Sequence, residues 1–442
     1  PSGDKIAIKA SADLNDPSSG RLMVGSAEGG ALTPALPLNA EEHVSDFDWL
    51  DDDTLVFLSN RGVQTVVGTV KADGSDARVL VGPEGPVFWR LSVSRQAKRA
   101  ALVGDAPTFP AEVFTADLER PGPATRLTTH NPWLKDIHLG RQEAVTYTAR
   151  DGLEIGGILV HPALKPPESE RVPLLLVVHG GPESHVRNGW VTGYSRPGQT
   201  GAAKGWAVFY PNYRGSTGRG VDFSKKGQAD YAGAEFDDLV DAIAHFDAQG
   251  LIDPKKVGIT GGSYGGFASA WGATKLTEHF AASVMFVGIS NQISKAGTTD
   301  IPNEMFLVHS RRWPWEHWDW FRERSPIHYV EQARTPILIM HGEKDTRVHP
   351  SQSLELYRYL KLVGKTPARL VLYPNEGHGN RKAAARFDYS LRQLRWFEHY
   401  LNGPGGAPPP HPLDHSDALN PKSPEACDQG EDGKECEPTP AP

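Results

Sequence analysis

One serine stands in the most chemically suggestive run of this sequence. Ser263 lies within Gly-Gly-Ser-Tyr-Gly-Gly at residues 261–266, after a short apolar run at 257–260 and before a helix-compatible run at 267–275. A serine on a tight strand-to-helix turn projects its hydroxyl into a pocket, and the helix N-terminus favours negative charge beside it. The pattern therefore predicts that Ser263 is a nucleophile.

A serine hydroxyl is a weak nucleophile, so the chain must also supply a base and a carboxylate that orients this base. In open α/β sheets the acid and then the histidine follow the serine along the chain, each on a loop after a later strand. Asp345 follows the apolar run at 337–340, and His378 follows the run at 369–372. This order predicts that Ser263, Asp345 and His378 form a catalytic triad.

Two further carboxylates lie near the predicted acid and base. Glu343 and Glu376 lie close in sequence to the predicted acid and base, so either could be the acid instead.

The only cysteines are Cys427 and Cys436, far from the other motifs. They could form a disulfide across a short loop or be two free thiols, and the sequence favours neither.

Acyl transfer by a serine also needs two backbone N–H groups that hold the negative charge developing on the substrate oxygen. Tyr264, the residue after the nucleophile, is expected to supply one of them. Gly181, or else Gly180, is expected to supply the second, because both follow the apolar run at 174–178 and glycine lets a carbonyl approach the backbone. We interpret His179, at the end of that run, as structural.

Short apolar runs alternate with helical patterns after residue 143, which is typical of a doubly wound α/β sheet. A hairpin at 143–148 and 154–160 comes first. Buried parallel strands are predicted at 174–178, 207–210, 257–260, 283–287, 337–340 and 369–372. The clearest helical pattern covers 235–249, and the last helix is expected over 383–401. The predicted fold class is therefore α/β, of the α/β-hydrolase type.

Residues 1–130 read as β-structure, with a loose repeat of roughly 40–45 residues, the size of one propeller blade. About three such units fit, whereas a ring typically needs at least four blades. We therefore expect a partial β-propeller, completed by a missing segment or by another chain; a small β-sandwich is the alternative. The predicted domains are 1–130, a catalytic domain at 131–402, and a disordered tail rich in Pro, Gly and acidic residues at 403–442.

The composition limits the kinds of partner. A net charge of −8 gives no electrostatic reason to expect nucleic acid or an anionic membrane. No apolar run is long enough to span a membrane, and no pattern implies a metal or an organic cofactor. The chain begins at Pro1, which suggests truncation or processing. Cytoplasmic and periplasmic or secreted locations therefore both stay open, as does homo-oligomerisation.

Taken together, the motifs resemble the prolyl oligopeptidase family of serine peptidases, nearest to its acylaminoacyl peptidase and dipeptidyl peptidase branches. The resemblance rests on residues 179–182, 211–216, 261–266, 341–348 and 376–379 and covers about 130–402. It implies hydrolysis of short peptides behind a propeller that excludes large folded proteins. It also implies that Arg347, two residues after the predicted acid, contacts the substrate backbone or carboxylate.

Three apolar residues are further candidates for substrate contact. Phe286, Val287 and Ile289 follow a predicted strand near the nucleophile and could line the first specificity pocket or pack in the core. Residues 292–300 lack the paired tyrosines that line the proline pocket of dipeptidyl peptidase IV, so strict post-proline cleavage is not expected. A carboxylesterase with the same triad and an inactive propeller–hydrolase binding scaffold are the competing hypotheses.

Overall fold

The computed structural model describes residues 2–18, 20–37, 41–164, 166–167 and 170–413 of the 442-residue sequence. Over these residues, no helix is both long enough and apolar enough to cross a membrane. The two cysteines, Cys427 and Cys436, lie outside the described residues, as do residues 414–442 of the tail predicted for 403–442.

Three antiparallel sheets form the N-terminal part of the chain. The first contains β1 (Lys5–Ala10), β2 (Arg21–Ser26) and β3 (Thr33–Pro34); the second contains β4 (His43–Trp49), β5 (Thr54–Arg61), β6 (Gln64–Lys71) and β7 (Arg78–Val81); the third contains β8 (Val87–Ser94), β9 (Arg99–Ala106), β10 (Phe109–Asp117) and β11 (Thr125–Arg126). In each sheet, strands that are consecutive in sequence pair with each other. This meander is the pattern of propeller blades. The second and third sheets share one apolar core, to which Leu58 and Phe88 belong.

An eight-stranded sheet organises the rest of the chain. The remaining strands are β12 (Gln142–Thr148), β13 (Glu154–Val160), β14 (Val172–Val178), β15 (Thr192–Gly193), β16 (Arg196–Pro197), β17 (Ala207–Asn212), β18 (Ile252–Gly262), β19 (Ala282–Phe286), β20 (Ile337–Gly342) and β21 (Ala368–Tyr373). The sheet order is β12–β13–β17–β14–β18–β19–β20–β21, and β15 pairs only with β16. β12, β13 and β17 pair antiparallel, and every pair from β17 to β21 is parallel.

Helices cover both faces of this sheet. They are α1 (Gly198–Ala202), α2 (Gly220–Ser224), α3 (Ala234–Ala248), α4 (Tyr264–Thr274), α5 (Gln292–Thr298), α6 (Pro302–Glu304), α7 (Trp318–Glu323), α8 (Ser351–Val363) and α9 (Ala383–Phe397). The chain also forms 3₁₀-helices at Pro132–Asp136, Thr277–His279, Pro314–Glu316 and Pro326–Tyr329 and π-helices at Met305–Ser310 and Glu398–Asn402. Every residue of β14 is buried. Leu176 packs in the core under α3 and α4, and Leu175 packs in the core under α9. This arrangement confirms the predicted α/β fold.

Hydrogen bonds join the N-terminal sheets to the large-sheet part of the chain. The Gly62 N–H donates to the Gly218 carbonyl at 2.8 Å, and the Asn188 N–H donates to the Val63 carbonyl at 2.7 Å. The Trp190 N–H donates to Asp105 Oδ1, in strand β9, at 3.2 Å. The loop that follows β14 is therefore held against both parts of the chain.

Residues 403–413, which the sequence assigned to the disordered tail, lie along the surface beside α9. Arg369 donates to the Pro409 carbonyl at 2.6 Å, and Arg395 donates to the Pro412 carbonyl at 2.8 Å. Composition did not indicate these contacts, because they are made by backbone carbonyls of the segment, which every sequence has. The donors are guanidinium groups of the preceding fold. The domain boundaries at 130 and 402 stay predictions.

Candidate active site

Ser263 occupies the turn between β18 and α4. Its φ of 59° and ψ of −116° are unusual for a residue other than glycine. Its N–H donates to the Phe286 carbonyl at 3.0 Å. Gly265 permits the close crossing of strand and helix, because a Cβ there would lie 2.0 Å from the Val178 carbonyl oxygen. The turn therefore has the strained geometry of a nucleophile elbow.

Asp345 and His378 lie on the loops that follow the neighbouring strands β20 and β21. His378 Nδ1 lies 2.7 Å from Asp345 Oδ2. The side chain of Asp345 is fully buried, whereas that of His378 is 28% exposed. His378 lines the same cavity as Ser263. The three residues of the predicted triad thus surround one site.

Neither competing glutamate is placed to orient the histidine. Glu376 accepts hydrogen bonds from the backbone N–H groups of Arg381 at 2.8 Å and Lys382 at 3.0 Å, just before α9. Glu343 is exposed to solvent. The buried aspartate is therefore the carboxylate that the histidine contacts.

A second histidine, which the sequence analysis missed, supports the same carboxylate. His341 Nε2 lies 3.1 Å from Asp345 Oδ2, and the backbone N–H groups of Arg347 and Val348 donate to Oδ1 at 3.0 Å and 3.1 Å. Burial alone would raise the pKa of Asp345, but the hydrogen bonds of His341 and His378 outweigh it and lower the pKa to about 2. The carboxylate is therefore ionised at neutral pH and held in one orientation.

The loop after β14 faces the nucleophile turn. Gly181 lines the cavity and has a φ of +120°, a conformation that favours glycine. Gly180 lies so close to the turn that a Cβ there would be 3.2 Å from Ser263 Cβ. Tyr264 also lines the cavity and is the first residue of α4, where helix N–H groups lack partners within the helix. These backbones are candidates for an oxyanion hole.

Two buried polar contacts hold these loops in place. The Tyr264 hydroxyl donates to Glu235, which also accepts the Gly233 N–H at 3.0 Å. Burial raises the pKa of Glu235 to about 7, against the opposing effect of the hydrogen bond from Tyr264. His179 Nε2 lies 2.9 Å from the Ser216 hydroxyl, which agrees with a structural role for this histidine.

Of the four residues predicted to contact substrate, Arg347 and Ile289 line the cavity. Arg347 Nε also donates to Asp300 Oδ1 at 2.6 Å. Phe286 and Val287 pack in the core under α9, on the opposite face of the sheet from the core that contains Ile289. The φ of +43° at Val287 turns the chain at this point. The structure therefore does not bring Phe286 or Val287 to the cavity.

A polar cluster that the sequence analysis missed also lines the cavity: Glu183, Lys295, Glu304 and His309. His309 Nε2 lies 2.7 Å from Glu183 Oε1 and 3.9 Å from Glu304 Oε1. These three side chains bring one ligand atom each within 4.8 Å of one another, a spacing that could hold a metal ion. No local signal marks the cluster, because its members come from separate segments of the chain.

The cavity has a volume of about 420 Å³, within the range of sites for small ligands and short peptide segments. A serine hydroxyl, a histidine oriented by an ionised carboxylate, and two backbone segments able to donate N–H groups meet at its wall. These are the groups that acyl transfer through a covalent intermediate requires.

Comparison with known proteins agrees with this chemistry. Residues 194–404 match the model of the prolyl oligopeptidase family. The chain is 35% identical over 309 residues to the uncharacterized peptidase YuxL of Bacillus subtilis, an alignment that covers 67% of this chain and 44% of that protein. It is 34% identical over 268 residues to dipeptidyl aminopeptidase BIII of Pseudoxanthomonas mexicana, covering 58% of this chain and 38% of the relative. The chain spans less than half the length of these curated relatives.

Solved structures share the fold. The acylaminoacyl peptidase of Pyrococcus horikoshii superposes with a TM-score of 0.76 at 22% identity, over 90% of this chain and 61% of that chain. A puromycin-hydrolyzing peptidase of Mycobacterium tuberculosis superposes with a TM-score of 0.76 at 24% identity, over 88% of this chain and 60% of that chain. The α/β-hydrolase sheet with N-terminal propeller-type sheets is therefore common to all three. Together with the match of residues 194–404, these findings identify the chain as containing a domain of the prolyl oligopeptidase family.

Proposed function

We propose that this chain is a serine peptidase that hydrolyses short peptides through an acyl-enzyme. Ser263 is the proposed nucleophile, His378 the base, and Asp345 the carboxylate that orients it. The observation that carries the proposal is the 2.7 Å contact between His378 Nδ1 and buried Asp345, beside the cavity that Ser263 lines. The names of two relatives, dipeptidyl aminopeptidase BIII and acylamino-acid-releasing enzyme, support peptides as substrates.

In the proposed mechanism, His378 Nε2 takes the proton of the Ser263 hydroxyl as its oxygen attacks the scissile carbonyl. The hydrogen bond from Nδ1 to Asp345 keeps the imidazole in the tautomer that can accept this proton. The N–H groups of Tyr264 and Gly181, with Gly180 as the alternative, stabilise the oxyanion. His378 then gives the proton to the leaving amine, and water hydrolyses the acyl-enzyme.

The proposed substrates are short peptides that lose an aminoacyl, acylaminoacyl or dipeptidyl unit. Arg347 is the proposed donor to a substrate carbonyl or carboxylate, because its guanidinium lines the cavity and is 44% exposed. Its pairing with Asp300 restrains the guanidinium without burying it. Ile289 is the proposed apolar wall of the specificity pocket.

Turnover of an aminoacyl-p-nitroanilide, compared with that of a p-nitrophenyl ester, tests this proposal. We expect amide hydrolysis that a fluorophosphonate abolishes by labelling Ser263. Ser263→Ala should lose several orders of magnitude in kcat and all labelling while keeping the wild-type melting temperature. Ester turnover without amide turnover would favour a carboxylesterase. Absence of labelling at Ser263 would favour an inactive binding scaffold.

We also propose that the N-terminal sheets screen the cavity and that further blades complete the screen. The three antiparallel sheets are fewer than the four blades that a closed propeller requires. The further blades could come from another segment, another chain or a second copy, and light scattering would detect the last of these as a homo-oligomer. Cleavage of a folded protein as fast as of a tetrapeptide would contradict the screen.

A further inference from the structure

Lys295 contributes a buried cation to the cavity that Ser263 lines. Lys295 is only 3% exposed and lies in the short helix α5. The helix is anchored at its start, where the Asn291 side chain accepts the Ile293 N–H at 3.0 Å and donates to Glu355 at 2.9 Å. The position of the lysine is therefore set by the protein before any substrate arrives.

The ammonium group of this lysine lacks hydrogen-bond acceptors. An ammonium has three N–H donors, yet among the residues that the structure describes Lys295 Nζ takes part in no hydrogen bond or ion pair. The side chain as a whole is buried, but the Nζ atom opens onto the cavity, so its N–H groups are available to a ligand that enters there. The unpaired donors of a side chain that lines the cavity therefore point to an acceptor supplied by a ligand.

Two carboxylates of the protein, which line the same cavity, already act on the charge of this group. Burial lowers the pKa of Lys295 to about 8, and the nearby carboxylates of Glu304 and Glu183 oppose that shift, so the lysine is charged at neutral pH. Arg347, the other cation at the cavity, is paired with Asp300. A third carboxylate brought in by a ligand would meet two carboxylates of the protein. Because the protein already places negative charge at this cavity, a neutral oxygen acceptor suits the lysine better than a third carboxylate.

We propose that Lys295 is a specificity-determining residue that donates a hydrogen bond to a neutral carbonyl oxygen of the substrate. This inference rests on the proposed peptidase function and narrows its substrate class. The carbonyl has two possible sources: the side-chain amide of a glutamine at the residue that contributes the acyl group, or an N-terminal acyl group.

Two matched pairs of p-nitroanilides, assayed with the full chain, separate these sources. One pair is glutamine and norleucine anilide, which differ by the side-chain amide. The other pair is N-acetyl-leucine and 4-methylpentanoyl anilide, which are equally uncharged at the acyl end and differ by the acetamido group. In wild type, kcat/KM should favour the carbonyl-bearing member of one pair by about 10–100-fold, the usual effect of a hydrogen bond to a charged group. Lys295→Met, which keeps the length of the side chain and loses the donors, should erase that preference by lowering kcat/KM for the carbonyl-bearing member about 10–100-fold more than for the other member.

Lys295→Gln is the second variant. The amide of the introduced glutamine keeps an N–H donor, so this variant should retain part of the preference. An equal loss on both members of each pair would indicate a structural role and overturn the inference, as would a preference that survives Lys295→Met. A Lys295-dependent preference for glutamate over glutamine anilide would overturn the choice of a neutral acceptor. Failure of the peptidase proposal looks different, because wild type would then hydrolyse none of the anilides.

Discussion

His341 and His378 reach the same carboxylate oxygen: their ring nitrogens lie 3.1 Å and 2.7 Å from Asp345 Oδ2. His341 Nε2 also lies 2.8 Å from the Val348 carbonyl, so this nitrogen carries a proton, and Nδ1 lies 2.6 Å from the Ser353 hydroxyl. The carboxylate that orients the proposed base is therefore itself oriented by a buried imidazole. This relationship leads to the first two predictions.

Asp345→Asn should lower kcat by roughly 10⁴-fold with little change in fold. The reason is that an asparagine amide donates where the carboxylate accepts, which leaves the His378 imidazole in the wrong tautomer. Steady-state kinetics on an aminoacyl anilide measures the effect. Glu343→Gln, an exposed carboxylate two residues away, is the matched control and should behave as wild type. Near-normal kcat in Asp345→Asn would show that another acid serves the histidine.

His341→Phe should lower kcat about 10-fold and leave KM nearly unchanged, because His341 acts on the substrate only through Asp345. It should also destabilise the protein by about 1–3 kcal/mol, since a buried hydroxyl and carbonyl lose their partner. His349→Phe is the control, because His349 is exposed.

Combining His341→Phe with Asp345→Asn distinguishes positioning from general destabilisation. If His341 acts through the carboxylate, the two effects on kcat should fall well short of adding. Full additivity would mean that His341 affects activity by a separate route.

Gly181→Ala should lower kcat by about 10²–10³-fold, the usual loss for one oxyanion donor. Alanine rarely adopts the φ of +120° found there, and its Cβ would lie 2.3 Å from the Glu183 backbone nitrogen, so the loop must move. Gly297→Ala is the control, because a Cβ there meets nothing within 4 Å. Unchanged kcat in Gly181→Ala would assign the second oxyanion donor to Gly180 or another residue.

The buried carboxyl of Glu235 should make stability depend on pH. Burial raises its pKa from 4.5 to about 7, so the folded state holds a proton that the unfolded state has released between these values. The contribution of Glu235 to the free energy of unfolding should therefore fall by about 3 kcal/mol as pH rises from about 4.5 to about 7. Above about pH 7 this contribution should stay constant.

Melting temperatures of wild type and Glu235→Gln, measured from pH 5 to pH 8, test this dependence. Glutamine cannot ionise, so the stability of wild type relative to the variant should decline across the range and then level off. Parallel curves for the two proteins would contradict the assignment.

Local sequence was enough to predict the positions of the three residues of the proposed triad. The elbow at Ser263 and the positions of Asp345 and His378 follow from short motifs after apolar strands, and the parallel sheet brings the ends of such strands to one edge. The strand pattern likewise predicted the α/β fold. Each of these features is encoded within a few neighbouring residues.

Other parts of the site came only from the tertiary structure. His341, Glu235 and Lys295 gain their importance from contacts or unpaired donors created by distant segments. Phe286 and Ile289 stand three residues apart with similar chemistry, yet a turn at Val287 sends them to opposite cores.

The sequence by itself predicted the fold class and the three side chains of the proposed triad, because strand periodicity and loop motifs are local. Tertiary structure decided which buried groups orient those side chains and which acceptor the cavity still lacks. The physical reason is that burial and hydrogen bonding depend on which segments pack together. The local pattern of one segment does not show which other segments it will contact.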